Sequence, residues 1–172
     1  MTRYENIYVL YPRGARTGGP EALHQLVDTL RKQGQRAFLV PLPGTQSQAR
    51  VSEYEIYDAP EAAEVSDTPV NAVVAAESAI DALRPVTSAQ RICWWLSIDN
   101  SIIFRAERRR AAQRVGIADR DVRPITDKVR DFLVDLKPRQ QLMRTSRHIA
   151  QSEYAIAYLN LRAGIVANLV SD

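Results

Sequence analysis

The sequence is poor in the residues that build metal centres and disulfide scaffolds. Its 172 residues include one cysteine, Cys93, and two histidines, His24 and His148. A single thiol excludes a disulfide framework and a cysteine-rich zinc site, and two histidines supply too few ligands for a multi-histidine metal centre. No apolar run approaches the ~20 residues that a membrane-spanning helix needs. No signal peptide precedes the first strand-like run, so we expect a cytoplasmic protein with no metal and no cofactor.

The sequence also lacks a strong excess of either positive or negative charge. The chain carries 23 basic and 20 acidic side chains, a net charge of +3, which does not by itself imply nucleic acid as a partner. Residues 105–114 are the exception, with five arginines against one glutamate. This segment is either a solvated helix face or a patch for nucleic acid or anionic membrane, and no aromatics alternate with its arginines to stack bases. Vesicle binding at low salt would test the membrane hypothesis.

What the sequence does contain is a regular alternation of strand-like and helical patterns. Strands are predicted over 7–11, 37–40, 70–75, 92–96, 147–150 and 165–170. Between them lies a helix that starts with Pro20 and ends at Gly34, and a short helix capped by Ser78. Weaker helical patterns follow over 101–115 and 129–136. A last helix should begin after Ser152 and bury a stripe made of Tyr154, Ala157, Tyr158 and Leu161.

Strands that alternate with helices favour parallel pairing through right-handed crossovers. The predicted fold is therefore one α/β domain over residues 1–172: an open, doubly wound, Rossmann-like and mostly parallel sheet of about six strands, with helices on both faces. Such sheets bind ligands at the carboxyl ends of their strands. The loops after the first, fourth and fifth strands are the places to look for chemistry.

The loop after the first strand joins a strand to a helix amino terminus, where free N–H groups and the helix dipole attract anions. It contains Gly18 and Gly19, which allow a phosphate close to the backbone, and Arg13 and Arg16, which add positive charge. It is neither a P-loop nor a dinucleotide fingerprint. Anion binding and a tight turn that merely uses the glycines are both compatible with this pattern.

The loops after the fourth and fifth strands carry small polar side chains. Ser97, Asp99 and Asn100 follow an apolar strand, and a carboxylate at Asp99 could orient or deprotonate a substrate hydroxyl, whereas Asn100 is equally suited to cap the next helix. After the fifth strand, Ser152 has the position of an N-cap. The pattern leaves open whether His148 faces the core or the cleft.

Three stretches of this chain resemble the amino-terminal domain of bacterial GT-B glycosyltransferases of the group 1 type, which build surface polysaccharides. The first is residues 8–12 together with 18–26, which begin Gly18-Gly19-Pro20-Glu21. The others are Trp94-Trp95-Leu96-Ser97-Ile98-Asp99-Asn100 and residues 148–155. The likeness extends from residue 8 to about 171 and so covers nearly the whole chain.

The resemblance implies a metal-independent, retaining hexosyltransferase whose active site lies between two Rossmann-like halves. Gly18 and Gly19, supported by Arg13 and Arg16, would approach the diphosphate of a nucleotide-sugar, which is a substrate and not a cofactor. Asp99 would contact the hydroxyl of a saccharide or lipid-linked acceptor, and the remaining cleft residues would be Ser97, Asn100, His148 and Ser152.

The nucleotide-sugar-binding half has no counterpart in these residues, so we expect this chain to be inactive alone and to need a companion lobe. It would work in the cytoplasm, with peripheral association at the anionic inner face of the membrane as a further hypothesis. Two other functions remain open on sequence alone. One is a non-catalytic α/β binding or regulatory module that uses the Arg-rich segment 105–114, and the other is a small nucleotide-binding enzyme of flavodoxin-like shape.

Overall fold

The computed structural model of the chain describes residues 4–98 and 141–170, and these form one open sheet. The six strands are β1 (Ile7–Tyr11), β2 (Ala37–Pro41), β3 (Ala72–Ala76), β4 (Gln90–Trp95), β5 (Arg147–Ala150) and β6 (Asn168–Leu169). They lie in the order β2-β1-β3-β4-β5-β6, and every pairing is parallel. This confirms the predicted α/β class and the six strands. The predicted helices over 101–115 and 129–136 lie outside the described residues.

A short extra pairing outside β2 completes the strand order of a Rossmann sheet. Leu39 forms an isolated parallel bridge with Glu61, in which the Leu39 amide donates to the Pro60 carbonyl at 2.9 Å and the Ala62 amide donates to Leu39 at 2.8 Å. If this bridge is counted as a rudimentary third strand, the order becomes 3-2-1-4-5-6-7, which extends the Rossmann order 3-2-1-4-5-6. The strand order then reverses between β1 and β3.

Side chains alternate along the strands and build a hydrophobic core on each face of the sheet. Helix α1 (Gly18–Lys32) covers one face, whereas a 3₁₀ helix (Glu77–Leu83) and helix α2 (Glu153–Ala163) cover the other. Buried residues of the first core include Val9, Tyr11, Leu23, Val27 and Leu39, and those of the second include Leu10, Val73, Cys93, Trp95 and Leu159. Because both faces are covered, the central strands read as continuous apolar runs.

Two helix starts differ from the prediction. Helix α1 begins at Gly18 and not at Pro20, so the two glycines belong to its first turn. The helix after β3 begins directly at the strand end, with extended Ala76 as its N-cap, and Ser78 is therefore not the cap. In both cases the residue before the helix has extended φ/ψ, and the helix starts about two residues earlier than the side-chain signals suggest.

The predicted buried stripe of α2 is wrong except at Tyr158, which packs partly buried against the core. The helix buries Ala155 and Leu159, whereas Tyr154 is 65% exposed and Leu161 is 83% exposed. Apolar residues occupy several sides of α2, so the sequence offers more than one stripe, and the side with Ala155 and Leu159 packs into the core. The predicted end of the helix is confirmed, since Gly164 adopts a left-handed φ of 62°.

Candidate functional site at the carboxyl edge of the sheet

The amino end of α1 is open to solvent at the carboxyl end of β1. Gly18 is exposed and Gly19 half-buried, and a Cβ atom placed on either would meet nothing within 4 Å. Their amides are among the first of the helix, which have no intrahelical acceptor, and neither donates to any carbonyl in the described residues. Thr17 is the N-cap, and its side chain makes no capping hydrogen bond. Two backbone donors and the positive end of the dipole are therefore available to an anion.

The tight turn before the helix requires a glycine at position 14, because of its backbone conformation and the space around it. Gly14 has a φ of +80°, and a Cβ there would lie 2.9 Å from the Gln48 Cβ and also clash with its side-chain carbonyl oxygen. The loop over 42–61 packs against the β1–α1 connection at this point. In the β1–α1 connection, Gly14 therefore forms the tight turn, whereas Gly18 and Gly19 form the open helix end.

The two arginines of the loop are both paired with carboxylates. Arg13 lies 3.3 Å from Glu61 (Nε to Oε1) and donates from Nη1 to the Gln46 carbonyl at 2.7 Å. Arg16 lies 2.8 Å from Glu53, and its side chain is 73% exposed. Exposed pairs of this kind contribute about 0–1 kcal/mol, so the Arg16 side chain is free to exchange partners, whereas Arg13 is tied to the loop.

Glu61 also accepts a hydrogen bond from the Tyr11 hydroxyl, a network that the sequence pattern does not predict. Burial and the neighbouring Glu61 carboxylate raise the pKa of Tyr11 well above its usual range, so its hydroxyl stays protonated and donates. Glu61 belongs to a stretch without clear periodicity. No local sequence pattern could have found it, because its position depends on the isolated bridge to Leu39.

His24 is buried one turn inside α1 and is not a solvent-facing base. Its ring is 1% exposed and lies between the rings of Tyr11 and Tyr54, with centroids 5.1 and 4.8 Å away. Nδ1 is 2.8 Å from the Pro20 carbonyl and therefore donates to it, which leaves Nε2 as a buried acceptor without a partner among the described side chains. Burial lowers the pKa of His24, so the ring is neutral near pH 7.

Further along the same edge, the structure brings Ser97 and Ser152 together. Both line a pocket of about 190 Å³ at the carboxyl ends of β4 and β5, together with Trp95, Ile98, Gln151 and Tyr154. Ser152 is also the N-cap of α2, because its hydroxyl oxygen accepts the Ala155 amide at 3.2 Å. The capping and cleft positions predicted for Ser152 are thus compatible.

His148 turns into the core beneath this pocket. It is 7% exposed, its Nδ1 accepts a hydrogen bond from Trp95 Nε1 at 3.0 Å, and its Nε2 donates to the Met143 carbonyl at 2.7 Å. Burial lowers the pKa of His148 and favours this neutral ring. The structure gives this side chain a packing position below Ser97 and Ser152, and any contact with a ligand stays a prediction.

Asp99 and Asn100 lie outside the described residues, as does the Arg-rich segment 105–114. The role predicted for Asp99 at the acceptor hydroxyl, the cleft or capping role of Asn100, and the membrane or nucleic-acid hypotheses for 105–114 therefore stay predictions.

Glu77 is a residue of this edge that the sequence analysis missed. It follows β3 directly, is 4% exposed, and accepts the Leu96 amide through Oε2 at 2.9 Å. It therefore links the ends of β3 and β4 beside the point where the strand order reverses. Its role depends on the hydrogen bond from Leu96, a residue of the next strand connection, which no local sequence pattern reveals. Burial, together with the Glu77 charge, raises the pKa of the Cys93 thiol and keeps it protonated.

A larger cavity lies at the opposite edge of the sheet. It has a volume of about 450 Å³ and is lined by Tyr4, Glu5, Gly34, Gln35, Arg36 and Val70, at the amino ends of β1, β2 and β3. Parallel α/β sheets bind their ligands at the carboxyl ends, where helix amino termini converge. We therefore favour the carboxyl edge of the sheet, with the α1 terminus and the smaller pocket, as the functional site, although the cavity at the opposite edge is larger.

The fold and this edge define an open, Rossmann-like α/β protein with a solvent-exposed helix amino terminus and a neighbouring polar pocket. In the part of the chain described, no helix is long and apolar enough to cross a bilayer, and no group of three or more His, Cys, Asp or Glu side chains is placed to hold a metal ion. Comparison with protein-family models, with curated proteins and with solved structures finds no match to this chain.

Proposed function

We propose that this chain is the acceptor-side lobe of a GT-B glycosyltransferase that transfers a sugar from a nucleotide-sugar to a saccharide or lipid-linked acceptor in surface polysaccharide synthesis. The observation that carries the proposal is the pair of amides at Gly18 and Gly19, which have no partner among the described residues and lie at the carboxyl edge of a Rossmann-like sheet. A companion lobe would bind the nucleotide-sugar across this edge. The sequence resemblance supplies the reaction, and the geometry is compatible with it.

In this mechanism the chain stabilises the departing diphosphate and requires no metal. Negative charge develops on the diphosphate as the glycosidic bond to it breaks, and fixed donors aimed at that charge lower the barrier. The Gly18 and Gly19 amides and the α1 dipole supply such donors, and Arg16 can move from Glu53 to add charge. Arg13 acts indirectly, since it braces the loop through Glu61 and Gln46.

The acceptor would lie further along the same edge. β4 is two strands from β1, so the β4–β5 pocket lies roughly 10–15 Å from the α1 terminus by ordinary strand spacing. This arrangement separates a diphosphate site from an acceptor site on one lobe. Asp99, which comes directly after the described β4 connection, remains the residue predicted to receive the acceptor proton.

Substitution of Gly19 by leucine in the enzyme that joins this lobe to its donor-binding lobe tests the proposal. The leucine Cβ meets open space, so folding should be retained, but the side chain would occupy the place of the diphosphate. We expect kcat for release of nucleoside diphosphate to fall by about 10²–10³-fold, as for loss of an oxyanion-hole donor.

The smaller Gly19→Ala variant is the matched control and should keep most of the activity. Unchanged turnover in Gly19→Leu, with folding verified by circular dichroism, would contradict the proposal. On this chain alone, inorganic pyrophosphate should shift the amide NMR signals of Gly18 and Gly19.

A further inference from the structure

The pocket between β4 and α2 has a chemistry distinct from that of the α1 terminus. None of the residues lining it in the described structure is charged, so the described lining carries no cation to neutralise a phosphate or a carboxylate. Its base is apolar and buried, formed by Trp95 and Ile98, which are 3% and 4% exposed. A ligand suited to it is uncharged and has both an apolar and a polar side.

Tyr154 provides a flat aromatic surface at this pocket. The residue is 65% exposed, although tyrosine rings bury a large apolar area when they are packed. Tyr158, one turn further along α2, braces it, with ring centroids 6.3 Å apart and an angle of 41° between the rings. Tyr158 itself packs against the core, so the Tyr154 ring is held on a fixed support.

Hydroxyl and amide groups surround the aromatic ring. The Ser152 oxygen accepts the Ala155 amide, which leaves the Ser152 O–H free to donate to a ligand. Within the described chain the side chains of Ser97 and Gln151 also line the pocket, and neither makes a hydrogen bond to a protein group. The pocket thus presents three adaptable polar groups next to one aromatic face.

We propose that this pocket is a sugar subsite that holds a single uncharged pyranose ring. The C–H face of a pyranose is apolar and carries a slight positive potential, which suits the negative face of the Tyr154 ring, and its hydroxyls would bond to Ser97, Gln151 and Ser152. A volume of about 190 Å³ is below the ~300 Å³ at which drug-sized ligand pockets begin, so the pocket takes one ring and not an oligosaccharide. The inference rests on the proposed function, in which this ring is the terminal sugar of the acceptor, and it identifies Tyr154 as a specificity-determining residue.

Amide NMR titration of the 172-residue chain tests the subsite without any transfer reaction. The probes are the methyl glycosides of glucose, galactose, mannose, rhamnose and N-acetylglucosamine, each up to about 0.1 M, where a Kd on the order of 10 mM still gives near saturation. At least one glycoside should shift the signals of Ser97 and Gln151. Tyr154→Ala should weaken that binding at least tenfold, whereas Tyr154→Phe should retain it, because the aromatic face and not the hydroxyl makes the stacking contact.

Leu161→Ala is the matched control, since Leu161 is 83% exposed on the same helix and does not line the pocket. Its binding should equal that of the wild type. Absence of shifts with every glycoside, equal binding by Tyr154→Ala, or shifts of the same pocket signals by inorganic phosphate would each overturn the subsite.

The experiments can refute the sugar subsite and the diphosphate site independently of each other. Shifts of Gly18 and Gly19 by pyrophosphate with no glycoside binding would remove the sugar subsite and leave the diphosphate site. Glycoside binding in the Tyr154 pocket, with full turnover retained by Gly19→Leu, would leave a saccharide-binding lobe and remove the proposed diphosphate contact.

Discussion

A methyl group at Gly14 and a methyl group at Gly18 have opposite consequences, although the two residues belong to the same connection. Gly14 has a positive φ and its Cβ would clash with Gln48, whereas the Cβ of Gly18 would meet open space in the first turn of α1. The strained position serves the fold, whereas the open position leaves space in front of the helix amino terminus. A sequence shows only that both are glycine.

Gly14→Ala should therefore destabilise the protein by about 1–3 kcal/mol, because alanine at a positive φ is strained and the Gln48 side chain must move. Gly18→Ala should be neutral or stabilising by up to about 1 kcal/mol, because alanine reduces the entropy of the unfolded chain and fits a helical φ. Urea unfolding at neutral pH measures both. Equal stabilities of the two variants would show that the turn at Gly14 relaxes without cost.

At the scale of elements, the Asp67 carboxylate connects the segment before β3 to the turn before β4. Asp67 accepts the amides of Thr87, Ser88 and Ala89 and the hydroxyl of Thr87, at distances of 2.7–2.9 Å. The amide hydrogen bonds, that of Ala89 first, hold the pKa of Asp67 well below its usual range. This contact aligns the turn that leads into β4, the strand that ends at the candidate site.

Asp67→Asn should lower the free energy of unfolding at pH 7 by about 1 kcal/mol, because a neutral amide oxygen accepts these bonds more weakly and the site is partly solvated. A depressed pKa stabilises the folded state above the unfolded value of about 4, and the benefit is lost as the pH falls below it. The difference between wild type and variant should therefore shrink at about pH 3. Urea unfolding at both pH values checks this, and a difference that grows in acid would contradict the assignment.

At the scale of the whole molecule, both histidines are buried as neutral rings, one on each face of the sheet. His24 belongs to the core under α1 and His148 to the core under α2, and burial lowers the pKa of each. In the unfolded chain both would titrate near pH 6.5. The unfolded state thus binds more protons below that pH, and stability should fall as the pH is lowered through this range.

We therefore expect the urea midpoint to be lower at about pH 5 than at about pH 7.5, and replacement of either histidine by glutamine to reduce that difference. Carboxylates also titrate near pH 5, so the comparison between variant and wild type isolates the histidine contribution. A pH dependence unchanged in both His24→Gln and His148→Gln would show that the rings accept protons without loss of packing.

Several features of the candidate site could be predicted from local sequence. The position of Gly18 and Gly19 at the end of β1 follows from an apolar run, a glycine-rich connection and a helical stripe that succeed one another. The position of Ser97 and Ser152 at one edge follows because the carboxyl ends of parallel strands lie together. Glu61 and Glu77 were not found, since their roles depend on a bridge to Leu39 and on a hydrogen bond to Leu96 that join residues distant in sequence.

The sequence by itself determined the strands, helix α1 and the parallel Rossmann-like sheet, because hydrophobic periodicity and helix-end residues act over short distances along the chain. Only the tertiary structure decided which side of α2 is buried, that Arg13 is tied to Glu61, and that His148 faces inward. These outcomes depend on packing between elements far apart in the chain, where side-chain volume and pairing outweigh local pattern. The exposure of Tyr154, and with it the sugar subsite, is one such outcome.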